Sequence, residues 1–281
     1  MNVLSIQSSV AYGHAGNSSA VFPLQRLGHE VWPVHTVHFS NHTGYGHWRG
    51  IVFDPQVVAD VITGIEERGV LGTCDAVLSG YQGDPAVGEV VLDAVARVKA
   101  ANPAAIYCAD PVLGDVGRGF YVRPGIPEFM RDAIVPACDI LTPNQFELEY
   151  LTGTVIGSVA DLLAAIEALR RQGPATVLVT SVQTDRTPAG SLQMVAVGPD
   201  GAYCVTTPKL PIQVSGSGDL TTAIFLARLM TDGLATALAS TADSVFAVIE
   251  ATDRSGSQEL QLIAAQDAIA VPNGRFEAVA L

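Results

Sequence analysis

The chain has 281 residues, of which 48% are hydrophobic and 15% charged, and this composition excludes an intrinsically disordered protein. The net charge of −13 argues against nonspecific binding to DNA, RNA or an anionic membrane, because such binding needs a basic surface. The four cysteines form no Cys-x-x-Cys pair, so no zinc ribbon is indicated. We see no basic leader and no apolar run long enough to span a bilayer, and therefore expect a cytoplasmic protein.

The N-terminal segment predicts a strand, a loop, a helix and a second strand. Residues 3–7 form a short apolar run, and a glycine-bearing loop follows at 12–17. A helix is predicted at 19–27, where Gly28 stops it, and residues 30–37 are typical of a second strand. This order predicts a parallel sheet with helices on its faces.

Residues 40–48 are polar, aromatic and rich in glycine, and loops of this composition often carry binding groups. All six histidines lie between His14 and His47, so a zinc site is an alternative for this region. We disfavour zinc, because no predicted helix carries a histidine pair at i, i+4 and no cysteine is near. His42 and His47 are either substrate-loop residues or solvated side chains.

The middle of the chain continues the alternation of helices and strands. Three helices are predicted at 55–68, 87–100 and 159–172, and four strands at 76–78, 105–108, 139–141 and 176–180. Ligands of open parallel sheets bind beyond the carboxyl ends of the strands. Tyr81 and Asp110 follow two of these strands. For Tyr81 the alternatives are a ring that lines a binding site and a half-buried ring without such a role. For Asp110 the alternatives are a metal ligand and a cap of the loop.

Glu147 lies in the first turns of a helix that Thr142, Pro143 and Asn144 open. A glutamate there stabilises the helix dipole. Alternatively, Glu147 and Asp110 converge on a magnesium ion, which takes one or two carboxylates and the phosphates of its substrate. The preceding glycine-containing segment, 114–125, is predicted to be a loop that acts as a flap.

The last third of the chain predicts a β-hairpin and three helices. The hairpin strands are expected at 192–197 and 203–206, joined by a Gly-Pro-Asp-Gly turn. The helices are expected at 221–230, 235–250 and 258–269. We find no internal repeat and no linker, and therefore expect residues 1–281 to form a single domain.

The stretch Ser215-Gly216-Ser217-Gly218-Asp219 carries the strongest functional signal. Two glycines before an apolar helix place unpaired amides and the positive end of the helix dipole around a phosphate-sized space. Asp219 in the same turn is either a helix cap or a general base beside an anion hole. A Walker loop is excluded because neither of the two lysines follows a glycine, and a dinucleotide fingerprint lacks its third glycine.

Several motifs together resemble the bacterial vitamin B6 kinases, the pyridoxal (pyridoxamine) kinase type of the ribokinase superfamily. The motifs are Ile6-Gln7-Ser8, Tyr12-Gly13-His14-Ala15-Gly16-Asn17-Ser18, Phe39-Ser40-Asn41-His42-Thr43-Gly44-Tyr45-Gly46, Cys74-Asp75-Ala76-Val77-Leu78-Ser79-Gly80-Tyr81, Asp110-Pro111-Val112, Pro143-Asn144 with Glu147 and Glu149, and Gly216-Ser217-Gly218-Asp219. The resemblance runs nearly end to end. It implies a ribokinase-like α/β three-layer sandwich, with a central, mainly parallel sheet between two layers of helices, and a homodimer.

The resemblance also implies roles for matching residues. Asp219 is similar to the base that takes the proton of the 5′-hydroxymethyl group, and the amides around Gly216, Ser217 and Gly218 are similar to the anion hole. Ser8, Thr43, Gly44 and Tyr81 match the pyridine-ring pocket. Asp110, Thr142, Glu147 and Thr180 match positions at the nucleotide phosphates and magnesium, and Thr207, Pro208, Lys209 and Leu210 match the segment along the nucleotide. The implied co-substrate is ATP and the implied metal is Mg²⁺, with K⁺ as a further candidate.

Two departures from the family pattern are evident. Thr180 stands where the family usually has a lysine that meets the nucleotide phosphates, and Phe120 stands where a flap cysteine is common. We expect weaker nucleotide binding or compensation by a nearby group such as Arg186. The alternatives are a hydroxymethylpyrimidine kinase, which typically has cysteine at the position of Asp219, a sugar kinase of the same superfamily, and a vitamer-binding protein with weak catalysis.

Overall fold

A computed structural model describes residues 1–281. The strands are β1 (Asn2–Val10), β2 (Glu30–Phe39), β3 (Gly50–Val52), β4 (Ala76–Ser79), β5 (Ile106–Ala109), β6 (Gly114–Asp115), β7 (Gly119–Phe120), β8 (Ile140–Leu141), β9 (Thr176–Val182), β10 (Ser191–Gly198), β11 (Gly201–Pro208) and β12 (Val279–Ala280). The helices are α1 (Asn17–Arg26), α2 (Pro55–Glu66), α3 (Pro85–Ala101), α4 (Ile126–Phe129), α5 (Val135–Ala137), α6 (Gln145–Thr152), α7 (Val159–Arg170), α8 (Ser217–Leu229), α9 (Leu234–Ser255) and α10 (Gln266–Ala270). Short 3₁₀ turns occur at Thr43–Tyr45 and Leu71–Thr73, and a π-helical turn at Met130–Ile134 joins α4 to α5.

Ten strands form one sheet in the order β12-β11-β10-β9-β8-β5-β4-β1-β2-β3. The six central strands, from β9 to β2 in that order, pair in parallel. Strands β10, β11 and β12 at one edge and β3 at the other are antiparallel to their neighbours. The predicted, mainly parallel sheet is therefore confirmed. Because helices cross over between these parallel strands, the carboxyl ends of β1, β4, β5 and β8 all lie at one edge of the sheet.

The side chains of each central strand alternate between two apolar layers. In β9, Val177 and Val179 join the core that α2, α3, α6 and α7 cover, whereas Leu178 joins the core covered by α1, α8 and α9. These three side chains are fully buried. Burying each of them contributes roughly 1.5–3 kcal/mol to the free energy of folding. The three-layer arrangement follows from this two-sided burial, which also explains why the strands are nearly continuous apolar runs.

Several helices begin where the sequence places a capping residue. The carboxylates of Asp54 and Asp84 accept hydrogen bonds from the first turns of α2 and α3, each of which starts with proline. A Ser158–Asp161 capping box starts α7. These caps satisfy amides that a helix leaves unpaired, so the loops at the sheet edge have defined conformations.

Three secondary-structure predictions are wrong in part. The helix predicted at 258–269 covers only α10, because the amides of Glu259 and Gln261 bond to the hydroxyls of Ser257 and Thr252 instead. The segments 40–48 and 114–125, predicted as loops, contain the Thr43–Tyr45 turn and the two-stranded β6–β7 sheet.

By length and composition alone, one helix is long and apolar enough to cross a membrane. From the sequence, we expected no such apolar run. This helix is α9, and 56% of its apolar window is buried inside the protein. Leu234 and Ala237 pack in the core against the sheet, and Val245 and Val248 pack with α8 residues. Core helices have these features in common with membrane spans, so the helix is weak evidence for a membrane segment.

Candidate active site

A cleft of about 550 Å³ opens beyond the carboxyl ends of the parallel strands. Twelve predicted site residues line it: Ser8, Thr43, Gly44, Tyr81, Asp110, Thr142, Glu147, Thr180, Gly216, Ser217, Gly218 and Asp219. They come from segments more than 200 residues apart in the chain. The fold therefore gathers most of the predicted residues into one place.

The turn Ser215–Asp219 forms one rim of the cleft. Gly216 has φ +81°, and a side chain there would overlap the carbonyl oxygen of His14, so only glycine fits. Ser19 in α1 donates a hydrogen bond of 2.8 Å to the Gly216 carbonyl. Helix α8 starts at Ser217 without any side-chain cap, which leaves the amides of its first turn facing the cleft. This rim can accept a negatively charged group.

Asp219 is the third residue of α8, and the position that precedes the helix is Gly216. Asp219 is therefore not the N-cap residue of the helix. Instead, Oδ2 accepts a hydrogen bond of 2.8 Å from the amide of Gly16 in the β1–α1 loop. Burial raises the pKa of Asp219 to about 6, although the amides of Gly16 and of Asp219 itself act in the opposite direction. A carboxylate of this pKa is largely ionised at neutral pH and accepts a proton readily.

Asp110 follows β5 at the floor of the cleft and is almost fully buried. Desolvation and the nearby negative charges of Glu147 and Asp219 raise its pKa well above the ordinary range. Thr222 donates a hydrogen bond of 3.3 Å to Oδ2 of Asp110, and the Thr222 and Thr142 hydroxyls are 2.7 Å apart. A cation at this place would relieve the repulsion among the carboxylates.

Glu147 forms a reciprocal capping box with Asn144 at the start of α6. Its Oε1 accepts the amides of Leu113 and Gly114, and its Oε2 accepts the amide of Asn144 at 2.9 Å. Burial raises its pKa to about 7, against these three bonds. Glu147 therefore stabilises the start of the helix, which is one of the two expected roles, and it also holds the segment that leads into β6.

The donor set fits a weakly held divalent cation better than a closed metal site. No group of three His, Cys, Asp or Glu side chains is close enough to hold a metal. Asp110 and Glu147 both line the cleft, but Glu147 already accepts three amides. Mg²⁺ commonly takes one or two carboxylates and completes its shell with water and substrate phosphates, so these residues suit it.

The opposite end of the cleft is apolar. Val10, Ala15, Val37 and Phe39 form a small buried cluster against which Tyr81 packs, and all five line the cleft. Burial raises the pKa of the Tyr81 hydroxyl. Ser8, Thr43 and Gly44 add polar groups at the edge of this apolar wall. Such a pocket suits a flat aromatic ring with a few polar substituents.

Four predicted nucleotide residues are not brought into the cleft. Thr207, Pro208, Lys209 and Leu210 do not line it, although β11 runs in the same direction as β9 and ends at the same edge. The Lys209 amide donates to the carbonyl of Gly190. Arg186 also lies outside the lining.

The β6–β7 hairpin forms the other rim and carries Arg118, the only lysine or arginine that lines the cleft. Arg118 is exposed and makes no salt bridge, whereas four carboxylates, those of Asp110, Asp115, Glu147 and Asp219, line the same space. Its charge contributes to lowering the pKa of His42 across the cleft, after desolvation, the main cause. At the base of the hairpin, Phe120 packs edge-on against Phe146 and Tyr150.

Some lining residues escaped the sequence analysis. Thr222 lies one helical turn after Asp219 and so shares its face, a spacing that could have identified it. Val10 and Phe39 end β1 and β2, and strand ends are where ligands are expected. Ser181, the only residue other than glycine with positive φ (+55°), also lines the cleft, and no sequence pattern marks it.

Comparisons with known proteins show the family to which the chain is related. The family model for phosphomethylpyrimidine kinase matches residues 50–262. Pyridoxal kinase PdxY of Rubrobacter xylanophilus is 59% identical over 278 residues, covering 98% of this chain and 96% of that protein. Pyridoxal kinase PdxY of Leifsonia xyli is 55% identical over 277 residues, covering 98% of each.

Solved structures support the same family. Pyridoxal kinase from Leishmania donovani in complex with ADP and pyridoxamine has a TM-score of 0.92 at 29% identity, covering 100% of this chain and 99% of that chain. The ribokinase-like fold class is thereby confirmed. From the extent of the family match and the identity to these relatives, the chain belongs to the phosphomethylpyrimidine kinase family and, within it, to the pyridoxal kinases.

Proposed function

We propose that this protein transfers the γ-phosphoryl group of ATP to the 5′-hydroxymethyl group of pyridoxal, giving pyridoxal 5′-phosphate and ADP. Pyridoxamine and pyridoxine are further candidate substrates. One observation carries the proposal most directly: Asp219, with its raised pKa, lies beside the uncapped start of α8 in a cleft whose far end is apolar. A base, an anion hole and a ring pocket in one cleft are what this reaction needs.

Asp219 acts as the general base. Its carboxylate takes the proton from the 5′-hydroxyl while that oxygen forms a bond to the γ-phosphorus and the bond to the β-phosphate oxygen of the leaving ADP breaks. The amides of Gly216, Ser217 and Gly218 stabilise the charge on the transferring phosphoryl group. The Gly16 hydrogen bond holds Asp219 beside these amides, so the base and the anion hole keep a constant separation.

The pyridine ring occupies the apolar end of the cleft. Tyr81 and the buried cluster around Phe39 contact its faces, and Ser8, Thr43 and Gly44 supply polar contacts at its edge. The nucleotide phosphates lie toward Asp110, Thr142, Glu147 and Thr180. The segment Thr207–Leu210 stays a candidate contact for the rest of the nucleotide, because it ends at the same sheet edge.

Asp110, with Glu147 beside it, would hold Mg²⁺, which would supply positive charge for the nucleotide phosphates when bound. Arg118 is the protein's own cation facing the same phosphates, and it takes the compensating role that proximity in sequence suggested for Arg186. K⁺ remains a candidate activator that no group of residues in the structure singles out.

We also propose that residues 1–281 act as one domain, that the protein forms a homodimer and that it is cytoplasmic. A single ten-stranded sheet spans both halves of the chain, which supports one domain. Ile51 in edge strand β3 and Val57 and Val61 in α2 are exposed apolar side chains, and such groups support an interface. Sedimentation analysis measures the oligomeric state.

A hydroxymethylpyrimidine kinase is the second candidate, because the matching family model is described as phosphomethylpyrimidine kinase. The presence of Asp219, where the resemblance expects cysteine in such enzymes, favours pyridoxal instead.

The test is a coupled assay with ATP and magnesium that compares pyridoxal, pyridoxamine, pyridoxine and hydroxymethylpyrimidine, with each product identified by mass. The highest kcat/KM is expected for pyridoxal. A preference for hydroxymethylpyrimidine would reverse the assignment. No product from any of the four, with pyridoxal still bound in equilibrium dialysis, would favour a vitamer-binding protein.

A further inference from the structure

Glu259 is a buried carboxylate that lies outside the cleft and has no cationic partner. It is 8% exposed and belongs to the segment between α9 and α10. Its Oε2 accepts a hydrogen bond of 2.9 Å from the amide of His14, and its Oε1 accepts one of 2.7 Å from the hydroxyl of Tyr45. Both hydrogen bonds to this buried carboxylate come from loops that are far away in the sequence. This arrangement indicates that Glu259 positions those loops.

Glu259 lies so close to the backbone at position 13 that this residue has to be glycine. Gly13 has φ +86°, and any side chain there would overlap the carboxyl group of Glu259. The β1–α1 loop therefore packs directly on Glu259. The same loop continues to Gly16, whose amide holds Asp219.

Tyr45 closes a short loop that is tied down at both ends. Nδ1 of His42 accepts the Gly44 amide at 3.1 Å and lies 2.9 Å from Oγ of Ser215. An amide only donates, so Nδ1 is unprotonated and the Ser215 hydroxyl donates to it. Thr43 and Gly44, which line the cleft, thus lie between one anchor on the Ser215–Asp219 turn and a second on Glu259.

These anchors matter because the loop has little packing of its own. Residues 43–48 are all exposed, and Tyr45 is 41% exposed although its hydroxyl reaches a buried carboxylate. Hydrogen bonds to an ionised acceptor are stronger than neutral ones, and the Tyr45 pKa is raised to about 12, chiefly by its bond to Glu259. The Thr43–Tyr45 turn is then held mainly by the contacts of His42 and Tyr45, whereas the end of the loop packs through Trp48 on Phe39.

We propose that Glu259 is a positioning residue that, through Tyr45 and His14, holds Thr43 and Gly44 at the ring end of the cleft. We call Glu259, Tyr45 and His14 the Glu259 clasp. The inference rests on the proposed function only for the identity of the ring, pyridoxal. The Tyr45 arm of the clasp acts on ring binding and leaves the nucleotide end unchanged, whereas the His14 arm belongs to the loop that also holds Asp219.

The experiment compares Tyr45→Phe with Tyr12→Phe as a matched control. Tyr12 is an exposed neighbour of Tyr45, with ring centroids 6.5 Å apart, and its hydroxyl makes no hydrogen bond. Loss of one charge-assisted bond should raise the KM and the Kd for pyridoxal about tenfold in Tyr45→Phe. The kcat, the KM for ATP and every constant of Tyr12→Phe should stay within about twofold of wild type.

Glu259 variants test the other half of the contact. In Glu259→Gln, the amide oxygen still accepts from His14 and the NH₂ group donates to Tyr45, so a smaller rise in KM is expected than in Glu259→Ala. Adding Tyr45→Phe to Glu259→Ala should cost less than the sum of the single changes. Equal losses in kcat and in both KM values, or additivity, would overturn the proposal.

Direct binding separates this inference from the proposed function. If the wild-type protein transfers phosphate to none of the vitamers, the proposed function fails, while the Kd of pyridoxal for wild type and Tyr45→Phe still decides the clasp. If turnover is normal and Tyr45→Phe leaves both KM and Kd unchanged, the clasp fails and the proposed function stands.

Discussion

The two rims of the cleft differ in how the rest of the protein holds them. The Ser215–Asp219 turn is fixed from three sides, by Ser19 on Gly216, by Gly16 on Asp219 and by His42 on Ser215. The β6–β7 hairpin is attached mainly at its base. Val116 at its tip is 70% exposed, and Arg118 makes no salt bridge with any residue.

The difference separates two tasks of a phosphoryl-transfer site. Amides and a base that stabilise developing charge are most effective when they are already oriented, which the fixed rim provides. A rim with few buried contacts opens at low cost in free energy, so it can admit a nucleotide and then bring a cation to it. Changes on the fixed rim should therefore act on kcat, and changes on the hairpin on nucleotide binding.

The largest effect is expected for Asp219→Asn, which removes the base from the fixed rim. The kcat should fall by about 10²–10⁴-fold, because general-base catalysis contributes that much, while the Kd for pyridoxal changes little. Rapid-quench measurement of product formation, with equilibrium binding in parallel, checks both. Unchanged turnover would show that Asp219 is not the base.

The pH dependence adds a second signature for Asp219. With a pKa of about 6, the wild-type kcat/KM for pyridoxal should decline below pH 6 and level off above it, and this decline should vanish in Asp219→Asn. The folded-state pKa lies above the unfolded value near 3.9, so ionised Asp219 destabilises the fold once pH rises through that interval. Asp219→Asn should therefore be more stable at pH 8, by roughly 1–3 kcal/mol, with no difference near pH 3, as thermal unfolding measures.

Gly216→Ala should have the next largest effect, because the added Cβ would overlap the His14 carbonyl and move the turn away from α1. Displacing one donor of an anion hole costs about 10²–10³-fold in kcat. Gly28→Ala is the matched control, since Gly28 also has positive φ (+85°) but open space around it. It should lose about 1 kcal/mol of stability and keep its kcat. Equal kcat losses in both variants would indicate backbone strain alone.

The same comparison explains how much the sequence could predict. Gly216 and Asp219 were singled out because glycines before an apolar helix place unpaired amides at the start of that helix, although this pattern alone left Asp219 as either a cap or a base. Asp110 and Tyr81 were found because strand ends collect at one edge of a parallel sheet. These signals are local, or depend on a topology that the alternation of helices and strands already indicates.

Other parts of the site depend on contacts that no local pattern encodes. The partner of Gly13 is Glu259, almost 250 residues away, and its segment was predicted to be helical. Arg186 was suggested as a compensating group only because it is near Thr180 in sequence, whereas the fold brings Arg118 into the cleft. Long-range packing decides such pairs.

A moderate effect is expected for Arg118→Ala on the hairpin rim. Loss of the only cationic side chain in the cleft should raise the KM for ATP about 10- to 100-fold, the range of a charge-assisted hydrogen bond. Arg123→Ala is the control, because Arg123 lies in the same flap segment but pairs with Asp84 at 3.1 Å outside the cleft. Arg186→Ala should also leave the KM for ATP unchanged. A rise in that constant for Arg186→Ala alone would restore the interpretation based on sequence proximity.

The smallest effect is expected for Thr180→Lys, which places a positive charge near the carboxyl end of β9, on the floor between the two rims. The Thr180 amide bonds to the Pro143 carbonyl whatever its side chain, so the backbone tolerates the change. A partly exposed charge contributes little, and the KM for ATP should fall only about two- to fivefold. Gln183→Lys adds the same charge just beyond β9, outside the residues that line the cleft, and should have no effect.

If Arg118 already neutralises the phosphates, the benefit of Thr180→Lys should grow when Arg118 is also replaced by alanine. A benefit that is the same in both backgrounds would show that the hairpin and the floor of the cleft bind the nucleotide independently.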